Sequence, residues 1–141
     1  MSRERMNQSQ AKKPGSYRDL IVWQKSMVLA KLIYRVTQGF PSEEKFGLTS
    51  QMRRAAVSIP SNIAEGQARR GTREFIQFIA QAEGSLAELD TQFTLAIDFG
   101  RVEATRTEKA VALIEELGRM LNALRRKLET PMLLNQVITC H

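Results

Sequence analysis

The run Leu48-Thr-Ser-Gln-Met-Arg-Arg-Ala-Ala-Val-Ser-Ile-Pro-Ser-Asn-Ile-Ala-Glu-Gly66 decides how this chain is read. Leu48, Met52, Ala55 and Ile59 recur at helical spacing, and Ile63 and Gly66 continue the same side. The run is therefore a helix that keeps a proline, Pro60, in its interior. An interior proline removes a backbone hydrogen bond and its ring meets the preceding turn, at a cost of ~3 kcal/mol or more. A chain tolerates that where neighbouring elements fix a bent helix. The flanking residues are small (Ala55, Ala56, Ser58, Ser61, Ala64 and Gly66), so other backbones can approach closely. Arg53 and Arg54 precede the proline, and Arg69, Arg70 and Arg73 follow it. A bent, closely packed, basic helix points to assembly and to a polyanionic partner, not to an active site.

Three more helical segments surround this one. The first is expected from about Asp19, a fitting N-cap, to Gln38, with Gly39-Phe40-Pro41 ending it. Its polar positions Gln24, Lys31, Arg35 and Gln38 form one narrow stripe. The apolar arc beside it (Leu20, Ile21, Trp23, Met27, Val28, Leu32, Ile33 and Val36) is wider than one buried face requires. That helix is either central in the fold or also faces a partner subunit. The second helix, holding Pro60, is expected to start near Ser42 and to end at the turn Ala68-Arg69-Arg70-Gly71.

The third helix has the clearest pattern. Phe75, Ile79, Ala82, Leu86, Leu89, Phe93 and Ala96 make a heptad seam. Thr72 is its expected cap and Gly100 its end. Gly84 costs ~1 kcal/mol relative to alanine within a helix, and is expected to let a neighbouring helix pack closely. The fourth helix opens with the capping-box pattern Thr105-Arg-Thr-Glu108. Ala110, Leu113 or Ile114, Leu117, Leu121, Leu124 and Leu128 form its seam, and Pro131 is expected to stop it. Strand signals are absent. Short connections between four long helices predict an all-α, up-down-up-down four-helix bundle over residues 17–129. Residues 1–16 read as a disordered basic arm and residues 130–141 as a C-terminal tail.

Composition narrows the function classes. The chain has 141 residues, 43% apolar and 26% charged, as expected of one soluble globular domain. No apolar run approaches the ~18 residues of a membrane span. The N-terminus has no apolar signal region, and Cys140 stands alone, so no internal disulfide forms. A cytoplasmic location and no membrane contact are expected. Net charge is +6, unevenly spread. Residues 1–18 carry five basic side chains against Glu4, and residues 51–73 carry five arginines against Glu65. Residues 74–100, by contrast, carry Glu74, Glu83, Glu88, Asp90 and Asp98 without a cation. Two readings stand side by side: the basic and acidic faces neutralise each other, within or between subunits, or the basic one meets nucleic acid.

Chemistry-bearing constellations are missing from the pattern. His141 is the only histidine and the last residue. The Glu-x-x-His pairs of a di-iron bundle, the ligand spacing of a zinc site, a base for a nucleophile and a phosphate-binding glycine loop are all absent from the sequence. Pairings such as Glu83 with Glu88, or Glu88 with Asp90, do not share a helix face well and read first as exposed charge or salt bridges. No catalytic residue, metal or cofactor is expected. The phosphate-contact candidates are Arg53, Arg54, Arg69, Arg70 and Arg73, with Lys12 and Lys13 of the arm helping; an ion pair within or between subunits is the competing role for each arginine. Arg69, Arg70 and Arg73 sit beside the first amides of the third helix, an arrangement that suits a phosphate. Trp23, Phe75 and Phe78 offer faces for base stacking, but their helical spacing reads first as core.

Three blocks, in order, carry a family resemblance: Tyr17-Arg-Asp-Leu-Ile-Val-Trp-Gln-Lys25, then Phe46-Gly-Leu and the run that follows to Gly66, then Glu74-Phe75 with Gly84-Ser-Leu-Ala-Glu-Leu-Asp-Thr-Gln92. Across roughly Tyr17 to Leu128 the chain resembles the bacterial four-helix-bundle proteins encoded within 23S rRNA intervening sequences. It is also similar to the accessory protein of diversity-generating retroelements. The resemblance implies a ring-like homopentamer, an association with RNA or DNA, and for the second group a reverse transcriptase as partner. The longer basic arm and the apolar tail depart from the family pattern, so contacts made by either do not carry over. The function expected is that of a non-enzymatic, oligomeric nucleic-acid-binding accessory protein; the alternative is a protein-interaction scaffold.

Overall fold

The computed structural model describes residues 15–139. Among them are four α-helices, α1 (Ile21–Gln38), α2 (Leu48–Ala68), α3 (Thr72–Asp98) and α4 (Glu108–Thr139), and no strand. Short 3-10 turns at Tyr17–Asp19, Ser42–Glu44 and Ala104–Arg106 precede α1, α2 and α4. α1 packs on α2 and α4, α3 packs on α2 and α4, and the α2–α3 contact is the broadest. The result is a four-helix bundle around one core.

The seams put that core together. In α3, Ile79, Ala82, Leu86, Leu89, Phe93 and Ala96 are buried, with Phe75 packed at the margin. In α2 the buried set is Met52, Ala55, Ala56, Ile59, Pro60, Ile63 and Gly66. α4 contributes Ala110, Ile114, Leu117 and Leu121. α1 turns Val22, Leu29, Ala30 and Ile33 inward together with Ser26 and Thr37. Those two hydroxyls donate to carbonyls of their own helix, Ser26 Oγ to Trp23 O at 2.7 Å and Thr37 Oγ1 to Ile33 O at 2.7 Å. Burial therefore leaves neither without an acceptor.

α2 is unbroken through Pro60, which is buried. The proline has no amide to donate to the turn before it. The two residues after it add side-chain donors to the next two carbonyls of that turn: Ser61 Oγ to Val57 O and Asn62 Nδ2 to Ser58 O, both at 2.8 Å. α2 and α3 come close together at Gly66. A Cβ there would stand 2.6 Å from Phe78 Cβ and 3.1 Å from Phe75 Cδ1. Higher up, the Ser58 and Ser85 hydroxyls hydrogen-bond across the same interface. Within the chain no helix packs closely on Gly84: a Cβ there would meet nothing within 4 Å.

Most of the helix ends differ from the expected ones, three of them because of 3-10 turns. Asp19 closes a 3-10 turn instead of capping α1, whose cap position holds Leu20 without a side-chain bond. Ser42 likewise opens a 3-10 turn, and α2 starts only after Gly47. The Thr105–Glu108 capping box does not form. Ala104–Arg106 is itself a 3-10 turn, and Thr107, just before α4, donates its hydroxyl back to Ala104 O at 2.6 Å. Short 3-10 turns thus absorb the residues a capping pattern would use. Thr72 is the first residue of α3, and Gly71, with no side chain to offer, holds the cap position. Pro131 does not stop α4, which runs on to Thr139. Pro131 is exposed there.

The α3 exit is as the sequence indicates. Gly100 adopts φ +71°, while Gly100 N donates to Ile97 O at 3.0 Å and Arg101 N to Ala96 O at 2.9 Å. This is a Schellman closure on a left-handed glycine. Arg101 then reaches Glu43 (3.5 Å) and Glu44 (3.2 Å), tying the α3–α4 connection to the α1–α2 connection. No helix among the described residues is long and apolar enough to cross a membrane.

Candidate functional site

The five candidate arginines fall into two groups, Arg53 and Arg54 near the start of α2 and Arg69, Arg70 and Arg73 around the α2–α3 turn, about 23 Å apart from Arg54 to Arg69 at 1.5 Å of rise per residue. Their surroundings differ. Arg53 is half-buried and lies against α1. Its Nε donates to Thr37 Oγ1 at 2.8 Å, its second terminal nitrogen to Tyr34 O at 3.3 Å, and its guanidinium sits 4.6 Å from the Tyr34 ring centroid. Arg53 therefore helps to fasten α2 to α1. Arg54, one residue on, is exposed. At the other end, Arg69 pairs with Glu65 one turn earlier at 3.1 Å and lies over Phe78 at 5.4 Å. Arg70 and Arg73 are exposed. Arg54, Arg70 and Arg73 make no ion pair with a described residue. Lys12 and Lys13 lie outside the described residues.

The acids of α3 do not neutralise α2 within the described residues. Glu83 pairs instead with Arg125 of α4, whose Nε donates to it at 2.5 Å, while Glu129 and Asn122 take the terminal nitrogens. The hydrogen bond to Glu83, then that to Glu129, holds the Arg125 guanidinium above the usual arginine range. Lys25 of α1 pairs with Glu116 of α4. At the start of α3, Glu74 places a carboxylate in the first turn beside Arg73. The positive end of that helix dipole thus already has one anion.

Two grooves lie along the outer seam of α1 and α2. The first, of about 550 Å³, is lined by Tyr17, Trp23, Met27, Pro60 and Ala64, with Lys31 and Arg35 at its edge. Tyr17 and Trp23 meet edge to face, 5.3 Å between centroids. Trp23 is therefore half in a groove and half in the core, whereas Phe75 packs on the core and Phe78 meets Gly66. The second groove, of about 730 Å³, is lined by Lys45, Phe46, Arg53 and Arg54 together with Thr49, Ser50 and Ser58. Tyr34, Val57 and Ser61 line both, so the two join end to end. Neither lining includes a carboxylate.

Sequence reasoning missed Lys31, Arg35, Lys45 and Phe46 as members of this surface. Lys31 and Arg35 read as a solvated stripe, because nothing in a one-dimensional pattern shows which groove a stripe borders. Phe46 does carry a signal: it is a large aromatic residue outside any helical seam, just ahead of Gly47 and α2. Among the described residues, no three His, Cys, Asp or Glu side chains gather as a metal site requires.

Fold and surface together define a helical bundle with a cationic, partly apolar outer seam. The model of the 23S rRNA-intervening sequence protein family matches residues 18–123, about three quarters of the chain, and the chain belongs to that family. No individually curated protein matches it.

Proposed function

We propose that this chain is a non-enzymatic, oligomeric nucleic-acid-binding accessory protein associated with RNA. The family match carries the reading, since the family is described by its link to 23S rRNA intervening sequences. The cationic α1–α2 seam supports it, because clustered cations without carboxylate partners attract a polyphosphate and bind it by releasing its counterions. Arg54, Arg70 and Arg73 are the phosphate contacts. Arg53 and Arg69 contribute charge while holding structural partners, and Lys12 and Lys13 add to the phosphate contacts. The reading includes an up-down-up-down bundle and a cytoplasmic location.

Self-association rests on a different observation. Ile21 is 60% exposed and Val28 44% exposed on the same helix that borders the first groove. An apolar strip beside an apolar groove is what a second copy of this chain would cover. A ring-like homopentamer follows from the family resemblance. The apolar groove also supports the second reading, a scaffold that recruits a protein such as a reverse transcriptase.

The test is the affinity of the nuclease-treated protein for structured RNA and duplex DNA across a salt series, with the mass measured by light scattering. Tight binding with a steep salt slope, by a particle several chains in mass, is expected. Weak binding to both polymers at low salt would defeat the nucleic-acid reading in favour of the scaffold.

A further inference from the structure

We infer that the groove at the start of α2 docks an unpaired nucleotide of a single-stranded polynucleotide, its base stacked on Phe46 and its phosphates among Lys45, Arg53 and Arg54. The inference rests on the nucleic-acid reading above and narrows it to one class of ligand and one anchoring ring.

Phe46 is 88% exposed, the most exposed of the large apolar side chains described. It sits in the short link between the Ser42–Glu44 turn and α2, outside the bundle core. An aromatic ring kept in water at the rim of a groove, with Lys45 Nζ 5.5 Å from its centroid, contributes nothing to the core. The groove around it combines that ring with three cations, the Tyr34 phenol and four aliphatic hydroxyls, from Thr49, Ser50, Ser58 and Ser61. Its volume of about 730 Å³ falls within the roughly 300–1,000 Å³ of small-ligand clefts. The acids closest in sequence, Glu43 and Glu44, are both drawn to Arg101.

Arg53 is set in place before any ligand arrives. Its Nε and one terminal nitrogen are spent on Thr37 and Tyr34, and its other terminal nitrogen has no acceptor among the described residues. Arg54 is exposed beside it, and Lys45 closes the other side. One anchored and two exposed cations around one exposed ring suit a phosphate–base unit. A duplex cannot supply it, because its bases are stacked on one another; a single strand can turn a base out onto an aromatic face.

The experiment uses the full chain, nuclease-treated, with short labelled oligouridylate and oligothymidylate strands and a duplex of matched length, read by fluorescence anisotropy over a salt series. Phe46→Ala and Phe46→Leu are expected to weaken single-strand binding about fivefold or more, leave duplex binding unchanged and leave the salt slope as it was. Arg54→Ala should lower the single-strand slope by about 0.7. Phe46→Trp should keep the affinity and show quenched fluorescence when the strand binds. Equal binding of both strands would identify the ligand as single-stranded nucleic acid in general, and stronger binding of oligouridylate as RNA; either fits. Wild-type affinity in Phe46→Ala, an equal loss on strand and duplex, or a changed particle mass would overturn the inference, the last by making Phe46 a subunit contact. Those results leave the broader reading standing, whereas a wild-type chain that binds neither polymer removes both.

Discussion

Gly66 and Gly84 are the same residue in opposite surroundings, and they call for opposite responses to one substitution. At Gly66 the new methyl group would press on Phe78 Cβ, an atom next to the α3 backbone that no rotamer change can move away. Gly66→Ala should therefore destabilise the chain by about 1–3 kcal/mol through overpacking. Gly84 has open space, so Gly84→Ala should stabilise α3 by about 0.5–1 kcal/mol through lower chain entropy and higher helix propensity. Thermal unfolding of the two variants checks both signs; a destabilised Gly84→Ala would reveal a neighbour supplied by a second copy. The arginine pair Arg53 and Arg54 separates in the same way. Arg53→Ala removes charge-assisted hydrogen bonds to α1 and should cost about 1–3 kcal/mol, while Arg54→Ala should leave stability within about 0.5 kcal/mol. Equal melting temperatures would refute the assignment of Arg53 as the tie to α1. Arg125 introduces no pH step near neutrality. Its raised pKa makes its contribution fully present below the ordinary arginine value and lost only as pH rises through the higher one.

At the scale of the element, the α3 seam was legible in Ile79, Ala82, Leu86, Leu89, Phe93 and Ala96, which recur at helical spacing and are buried, whereas Phe75 lies at the margin and Gln92, buried too, carries no apolar signal. The same holds for Met52, Ala55, Ile59 and Ile63 of α2. The ends were less legible. A Ser, Thr or Asp ahead of a helical pattern reads as a cap, but a 3-10 turn uses the same residues, and the choice between them depends on packing such as the Arg101 clasp on Glu43 and Glu44. Proline misled at one position and informed at the other. Pro131 lies in a helix that continues, and Pro60 lies buried in a helix that the neighbours hold. Pro60 also lines the apolar groove, so it connects the path of α2 to the surface proposed for self-association. Pro60→Ala restores an amide donor and removes a ring from that groove. Circular dichroism should show a folded helical chain, while light scattering should show a smaller or mixed particle. An unchanged mass would separate the α2 path from assembly.

Over the whole molecule, the charge blocks were legible as blocks but not as partners. The sequence sets a basic segment beside an acidic one, yet Glu83 of α3 serves Arg125 of α4 and the α2 arginines serve α1, their own helix or solvent. The basic ends of α2 thus keep their charge instead of cancelling it within the fold. Arg70 and Arg73 test this most directly, because they are exposed, lie outside both grooves, and pair with no described residue. Reversing both in Arg70→Glu/Arg73→Glu should lower affinity for duplex or structured nucleic acid and reduce the salt slope by about 2 for each chain that contacts it. If several copies assemble, each presents the same pair, and the loss scales with the number of copies the polymer touches. Fold and mass should be unaffected, since neither side chain is spent on packing. A lowered affinity with an unchanged slope would mean that the two arginines do not meet phosphates and that the loss is indirect. An unchanged affinity would confine the polymer to the Lys45, Arg53 and Arg54 end of α2, where the exposed ring of Phe46 stands.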